Sequence, residues 1–121
     1  MASCPLISVV DDDESVRESL PDLLREFGFT VETFSSAEQF LASDRIRATC
    51  CLILDIAMPG MSGPDLQREL MLRRENVPIV FITAHADQSL FPRLIEQGAA
   101  ACLLKPFSDT ALSDAVNAAL E

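Results

Sequence analysis

The sequence contains no tryptophan, no tyrosine and a single histidine among its 121 residues. It has nine basic residues against nineteen acidic ones, which gives a formal net charge of −10. Because such a surface repels nucleic acids and anionic membranes, we expect no direct nucleic-acid binding. No apolar run approaches the length of a membrane span, and the first residues lack the basic start of a signal peptide. We therefore expect a cytoplasmic protein that does not contact membranes.

The cysteines are too few and too scattered to form a metal site or a disulfide framework. Cys4, Cys50, Cys51 and Cys102 show no C-x-x-C spacing. One histidine is too few to complete a zinc site with them, so we expect reduced and mostly buried thiols. Because neighbouring residues of a strand point to opposite faces, we expect no disulfide between Cys50 and Cys51.

Short apolar segments alternate with amphipathic ones along the whole chain, of which 49% is hydrophobic. The pattern predicts strands over residues 6–10, 29–34, 51–54, 79–83 and 101–104. It predicts helices over residues 14–28, 35–43, 63–74, 89–98 and 108–120, and Pro21 should kink the first of them or cost it stability. Five strand–helix units predict an α/β fold with a parallel sheet that is covered on both faces.

Polar residues follow four of the five predicted strands, and parallel sheets bind ligands beyond these strand ends. They are Asp11–Asp13, Asp55, Thr83 and Lys105. If the four strands are neighbours, several carboxylates meet at one edge and repel one another unless a positive charge lies among them. A hard cation such as Mg²⁺, held by carboxylates and a phosphate group, suits this arrangement. A lysine could then hold a phosphoryl oxygen, and one carboxylate could be a nucleophile.

Four segments carry a resemblance to a known family: "VVDDDESVRESL", "LILDIAMPGMSG", "PIVFITAHAD" and "LLKPF". In this order the sequence resembles the receiver domain of two-component response regulators, and is most similar to receivers of the FixJ/NarL group. The resemblance implies a single flavodoxin-like (βα)5 domain over residues 1–121, with strand order 2-1-3-4-5. It also implies that no DNA-binding output domain is present in these residues.

The resemblance implies phosphotransfer at Asp55. This residue would accept a phosphoryl group from a phosphohistidine on a sensor histidine kinase, its expected partner. Lys105 would pair with Asp55 at rest and with the phosphoryl group afterwards. Thr83 would hydrogen-bond the phosphoryl group and move inward when it arrives.

The resemblance also implies a Mg²⁺ site beside the phosphoacceptor. Asp12 would bind the ion directly, Asp11 would bind it directly or through water, and Asp55 and the backbone carbonyl of Ala57 would complete the protein ligands. In the family the peptide bond corresponding to Lys105-Pro106 is commonly cis, which we expect here.

The family switches through the surface formed by its fourth helix, fifth strand and fifth helix, which here are about 89–97, 101–104 and 109–119. Homodimerisation through this face is a common outcome in the family. Many receivers carry an aromatic residue where this chain has Cys102. A thiol has no ring to swing, so we expect a weak switch, or one carried by shifts of backbone and helices.

These expectations describe a signalling phosphoacceptor and not a turnover enzyme, with autocatalytic phosphotransfer and self-dephosphorylation only. One alternative is a degenerate receiver that acts only as a docking module. Another is a Mg²⁺-dependent phosphohydrolase, which would need a second catalytic acid where the chain has Ala57. We expect His85 to face solvent, or, if it acts, to gate attack of water on the phosphoaspartate.

Overall fold

The computed structural model describes residues 5–121, apart from the side chains of residues 85–87. Five strands form one parallel sheet in the order β2-β1-β3-β4-β5. Their bounds are β1 Leu6–Val10, β2 Thr30–Phe34, β3 Thr49–Asp55, β4 Ile79–Thr83 and β5 Ala101–Leu104. The predicted fold class and strand order are therefore confirmed.

Five α-helices alternate with the strands. They are α1 Glu14–Glu26, α2 Ala37–Ala42, α3 Gly63–Leu72, α4 Phe91–Glu96 and α5 Asp109–Leu120. A 3₁₀ helix, His85–Leu90, precedes α4, so the predicted fourth helix is divided into two short pieces. Helix α1 continues through Pro21, which is buried.

Side chains cap four of the five α-helices at their N-termini. Asp13 accepts a hydrogen bond from the Ser15 amide, and Ser36, Ser62 and Ser108 cap α2, α3 and α5 in the same way. Such caps satisfy amide groups that have no partner within the helix. Helix α4 begins differently, since its N-cap residue Leu90 makes no side-chain capping bond.

The two faces of the sheet bury separate apolar clusters. Helices α2, α3 and α4 cover one face, where Phe40, Leu66 and Leu94 are at most 2% exposed. Helices α1 and α5 cover the other face, where Leu24 and Leu112 are fully buried. Because β1, β3 and β4 lie between these layers, their inner residues are apolar on both sides, as central parallel strands require.

The central strand β3 begins two residues earlier than the sequence pattern predicts. A buried hydrogen bond of 2.6 Å joins the hydroxyls of Thr49 and Ser8, so these polar residues are accommodated inside the sheet. Cys50 is exposed and Cys51 is buried, which confirms that they point to opposite faces. Cys51 and Cys102 are buried and half-buried free thiols, whereas Cys4 lies outside the described residues.

Among residues 5–121, no helix has both the length and the apolar character that crossing a membrane requires.

Candidate functional site

The strand order brings the polar residues after four strands to one edge of the sheet. Asp11 follows β1, Asp55 is the last residue of β3, Thr83 is the last residue of β4, and Lys105 follows β5. The register places Asp55 beside Ile82 and Thr83 beside Leu104. The structure thus brings together the residues that the sequence pattern placed at this edge, which we call the carboxyl edge.

Three carboxylates form a cluster at the carboxyl edge. Single oxygen atoms of Asp11, Asp12 and Asp55 lie within 4.8 Å of one another. Asp11 is fully buried, Asp55 is 6% exposed, and Asp12 is exposed. Because like charges so close together repel, the cluster requires a nearby positive charge.

Lys105 supplies part of that positive charge. Its Nζ atom donates a hydrogen bond of 3.0 Å to Asp11 Oδ2 and lies 3.7 Å from Asp55 Oδ1. We expected Lys105 to pair with Asp55 at rest, and the pair does form, but Asp11 is the nearer partner. The physical reason is that Asp11 is completely shielded from water and so gains most from a charged donor.

The backbone holds Lys105 and Thr83 in place together. The Lys105 amide donates a hydrogen bond of 2.8 Å to the Thr83 carbonyl, and the Lys105-Pro106 peptide bond is cis, as predicted. The Thr83 side chain is fully buried at the strand end. The lysine, the threonine and Asp55 are thereby carried on three adjacent strands of one rigid sheet.

Asp11 has further partners that fix its position. Its Oδ1 atom accepts a hydrogen bond of 2.9 Å from the Asp13 amide. Arg17, one turn into α1, donates from Nη1 to the backbone carbonyl of Asp11 at 2.8 Å. Arg17 is not among the residues that the sequence pattern predicts for this site. Its position near the start of a helix that follows an acidic loop was the only available signal.

The surroundings alter the acidity of two of these groups in a way that suits a reactive site. Burial, followed by the negative charge of Asp11, raises the pKa of Asp55 to about 7, although Lys105 opposes this change. Burial would lower the pKa of Lys105, but its hydrogen bond with Asp11 and the nearby carboxylates raise that pKa overall. Lys105 is therefore a cation near neutral pH, while Asp55 is close to its point of titration.

The turn after β3 is packed closely against the Asp55 backbone. A Cβ atom on Gly63 would overlap the carbonyl oxygen of Asp55, so only glycine allows α3 to start there. Gly60 has a φ of +74°, and Glu38 of α2 accepts a hydrogen bond of 3.0 Å from the next amide, that of Met61. Ala57 lies in this turn with an exposed side chain.

The donor set fits a small, hard cation. The three carboxylates of the cluster are the oxygen ligands that Mg²⁺ and Ca²⁺ prefer, and one member, Asp12, faces solvent, where metal-bound water could remain. Soft metals are disfavoured, since the described residues place no cysteine or histidine in this cluster.

Cys102, another predicted residue, contributes little to this geometry. Cys102 is half-buried on β5 against the apolar cluster of α2, α3 and α4, and burial raises the pKa of its thiol to about 11. Such a thiol remains protonated and unreactive near neutral pH. The side chain of His85 lies outside the described residues, so its predicted role stays a prediction.

The fold and the carboxyl edge define a class of protein: a doubly wound α/β domain with an acidic cluster and a lysine at the strand ends. The sequence model described as "response regulator receiver domain" matches residues 7–117. The chain therefore belongs to the receiver domain family of two-component response regulators, as its resemblance implied.

Known relatives agree with this assignment. Nodulation protein W of Bradyrhizobium diazoefficiens is 45% identical over 116 residues, which cover 96% of this chain and 51% of that protein. Response regulator protein TodT of Pseudomonas putida is 45% identical over 117 residues, with coverage of 96% and 51%. The chain spans about half the length of these curated relatives.

Solved structures share the fold over almost the whole chain. Response regulator StyR is 49% identical with a TM-score of 0.90, and the match covers 98% of this chain and 60% of that one. FixJ-N is 37% identical with a TM-score of 0.88, and the match covers 98% and 95%. The second comparison also supports the predicted similarity to the FixJ group.

Proposed function

We propose that this chain is a phosphoacceptor receiver that takes a phosphoryl group onto Asp55 from a phosphohistidine of a sensor histidine kinase. The observation that carries the proposal is the position of Asp55. It ends a buried central strand, belongs to a cluster of three carboxylates and lies 3.7 Å from a lysine ammonium. A rigid strand end is suited to phosphoryl transfer because the reaction depends mainly on positioning and charge stabilisation.

In the transfer step, a carboxylate oxygen of Asp55 attacks phosphorus while the bond between phosphorus and the histidine nitrogen breaks. The nitrogen keeps the electron pair, and an acyl phosphate forms on Asp55. Because Asp55 attacks as the anion, its raised pKa means that a positive charge must favour the ionised form. Lys105 provides one such charge, and it then contacts a phosphoryl oxygen.

We propose that Asp12 and Asp55, together with Asp11 directly or through water, hold Mg²⁺ with the Ala57 carbonyl. Bound there, Mg²⁺ would neutralise the clustered carboxylates and the charge on the transferred phosphoryl group. The cluster geometry and its all-oxygen donor set support this assignment.

We propose that Lys105 and Thr83 bind the added phosphoryl group. We propose further that the resulting conformational change extends to the face formed by α4, β5 and α5. Phosphorylation adds about −1.5 to −2 units of charge. Thr83 leads through one residue into the 3₁₀ helix that precedes α4, and its carbonyl accepts the Lys105 amide. Both connections link the site to this face, through which we propose homodimerisation. Cys102 lies on the same strand and would follow backbone shifts.

We propose that residues 1–121 form this one receiver without an output domain of their own. The match to the family over residues 7–117 supports the proposal. Relatives such as TdiR of Thauera aromatica and FixJ of Azorhizobium caulinodans are named transcriptional regulatory proteins, and the chain spans 50% and 54% of them. We propose that this domain performs phosphotransfer and self-dephosphorylation only.

The test is intact mass after incubation with Mg²⁺ and acetyl phosphate. We expect a phosphate-sized mass gain in the wild type that is absent from Asp55→Asn and is lost when Mg²⁺ is chelated. Asp114→Asn, which changes an exposed carboxylate of α5 in the same way, should gain the same mass as the wild type.

Different results would support the alternatives. Absence of a mass gain despite bound Mg²⁺ would favour a docking module. Release of phosphate over many turnovers without a lasting adduct would favour a hydrolase.

A further inference from the structure

Helix α3 carries a buried amide that is poorly satisfied. Gln67 is 3% exposed and lies on the buried face of α3. Among the side chains that the structure describes, those of residues 5–84 and 88–121, its Oε1 is the buried atom for which the structure gives no hydrogen-bond partner. Its Nε2 donates to the carbonyl of Leu94 in α4 at 3.5 Å, the long limit of such a bond.

The single hydrogen bond of Gln67 gives little stabilisation to α4. The Leu94 carbonyl already accepts a hydrogen bond of 3.0 Å from the Ala99 amide, so it does not depend on Gln67. A buried acceptor without a partner is unfavourable, since it has lost its bonds to water. The contact between α3 and α4 is therefore weaker with this amide than it would be with an apolar side chain of the same shape.

Apart from the buried side chain of Leu94, helix α4 has few features that would hold it in place. It has six residues, it starts without a side-chain cap, and Pro92 lies in its first turn. Such short helices depend on packing for their stability. Through the 3₁₀ helix, α4 also follows directly from Thr83.

A cleft gives the end of α4 room to move. It has a volume of about 420 Å³ and lies between the C-terminal half of α3 and the turn from α4 to β5. Its lining includes Gln67, Leu70 and Met71 on one side and Gln97 and Gly98 on the other. The cleft borders the end of α4, at Gln97 and Gly98, and not the buried Leu94, so this end is the part of the helix that has room to shift.

We infer that Gln67 is a positioning residue that keeps the resting place of α4 only weakly preferred, so that phosphorylation at the carboxyl edge can shift this helix. The inference rests on the proposed function, because it concerns how a charge on Asp55 reaches the face formed by α4, β5 and α5. An unpartnered amide raises the free energy of the resting arrangement, and a shift of α4 that lets water from the cleft reach Gln67 relieves this cost.

The test replaces the amide by an apolar side chain of similar shape, as Gln67→Met. Leu70→Met is the control, because it changes a buried residue of the same helix face without removing a polar group. Urea unfolding gives stability, intact mass gives the extent of phosphorylation, and hydrogen exchange of residues 89–99 reports on α4 with and without acetyl phosphate.

We expect Gln67→Met to be more stable than the wild type in urea and to accept phosphate normally. Amide exchange in unphosphorylated α4 should slow by about tenfold, which corresponds to about 1.4 kcal/mol. The change in α4 exchange on phosphorylation should shrink in Gln67→Met but not in Leu70→Met.

Three results would overturn the inference in different ways. Lower stability of Gln67→Met would show that the amide is satisfied in solution, for instance by a buried water. An unchanged α4 response in phosphorylated Gln67→Met would leave the residue with a purely structural role. Absence of any mass gain in the wild type would overturn the proposed function as well, which separates that failure from the first two.

Discussion

The two edges of the sheet use ion pairs in opposite ways. At the carboxyl edge, the pair between Lys105 and Asp11 has side chains that are 24% and 0% exposed. At the amino edge, Arg47 precedes β3 and Glu75 precedes β4, and their pair at 3.3 Å has side chains that are 88% and 22% exposed. The first pair is therefore largely removed from water, whereas in the second the arginine is almost fully exposed and its partner Glu75 is partly buried.

This difference in exposure decides how much each ion pair contributes to the stability of the folded protein. An exposed pair gains little because water and salt screen it. A buried pair costs free energy to desolvate, and the loss of one partner leaves an uncompensated charge inside the protein. The carboxyl edge therefore concentrates electrostatic strain where the proposed chemistry occurs, and the amino edge tolerates change.

Removal of the lysine ammonium should have the largest effect. Lys105→Met leaves Asp11 buried beside other carboxylates, and we expect the free energy of unfolding to fall by about 3–5 kcal/mol. Urea unfolding at neutral pH without divalent cations measures this change.

Two further variants separate charge from shape at this position. Lys105→Arg keeps the charge and should recover most of the stability. Asp11→Asn, combined with Lys105→Met, should recover part of the lost stability, because position 11 then carries no buried carboxylate that lacks a cationic partner. If Lys105→Met matches the wild type, the cluster is not electrostatically strained and the comparison between the edges fails.

The free energy of unfolding should depend on pH through Asp55. We expect this effect to be somewhat smaller than that of Lys105→Met. Its pKa is raised from 3.8 to about 7 in the folded protein. Between these values the unfolded chain has lost the proton and the folded protein still holds it, so stability falls as pH rises and the full penalty is reached above pH 7. Asp55→Asn removes the penalty, and we expect it to be about 2–4 kcal/mol more stable than the wild type at pH 8.

The difference between Asp55→Asn and the wild type should be small below pH 4 and largest at pH 8. Urea unfolding across this range, without divalent cations, measures it. Asp114→Asn, an exposed control, should follow the wild type at every pH. A gap that does not grow with pH would contradict a raised pKa.

Much of the fold could be predicted because its signals are local. Alternating apolar strands and amphipathic helices identify a parallel sheet, and polar residues at strand ends identify the edge where Asp55 and Lys105 meet. The start of β3 was missed because Thr49 is polar. Its hydroxyl is accommodated inside the sheet by Ser8, 41 positions away, and by the carbonyl of Arg45. The division of the fourth helix has a local signal that apolar spacing does not carry, because Pro92 lies in the first turn of α4, where proline favours a helix start.

Details of the site could not be predicted, because they depend on competition between partners. The sequence places Lys105 near several carboxylates, but relative burial decides that Asp11 is nearer than Asp55. The interaction of Arg17 with the Asp11 carbonyl and the unpartnered amide of Gln67 are equally invisible in the sequence. Each depends on which hydrogen-bond partners remain within reach of the side chain after the chain has folded.

Addition of Mg²⁺ should relieve part of the strain at the carboxyl edge. A ligand that binds only the folded state stabilises it by about 2.7 kcal/mol at a hundredfold excess over its Kd, so we expect about 1–3 kcal/mol at millimolar Mg²⁺. Urea unfolding with and without the ion measures the gain. Asp12→Asn should lose most of the gain, because it removes an exposed member of the cluster and leaves the buried pair intact. An equal gain in both proteins would mean that Mg²⁺ acts elsewhere.

The smallest effect is expected at the amino edge. Arg47→Met removes a cation from an ion pair, just as Lys105→Met does. However, Arg47 is 88% exposed, and its partner Glu75 keeps 22% of its side chain exposed to water, whereas Asp11 keeps none. We therefore expect the free energy of unfolding to change by less than about 0.5 kcal/mol, and by less still in high salt. The two variants, unfolded in urea side by side, compare the same chemical change at the two edges. A loss at Arg47 as large as that at Lys105 would mean that burial does not set the value of these pairs, and the argument for a strained carboxyl edge would then lose its basis.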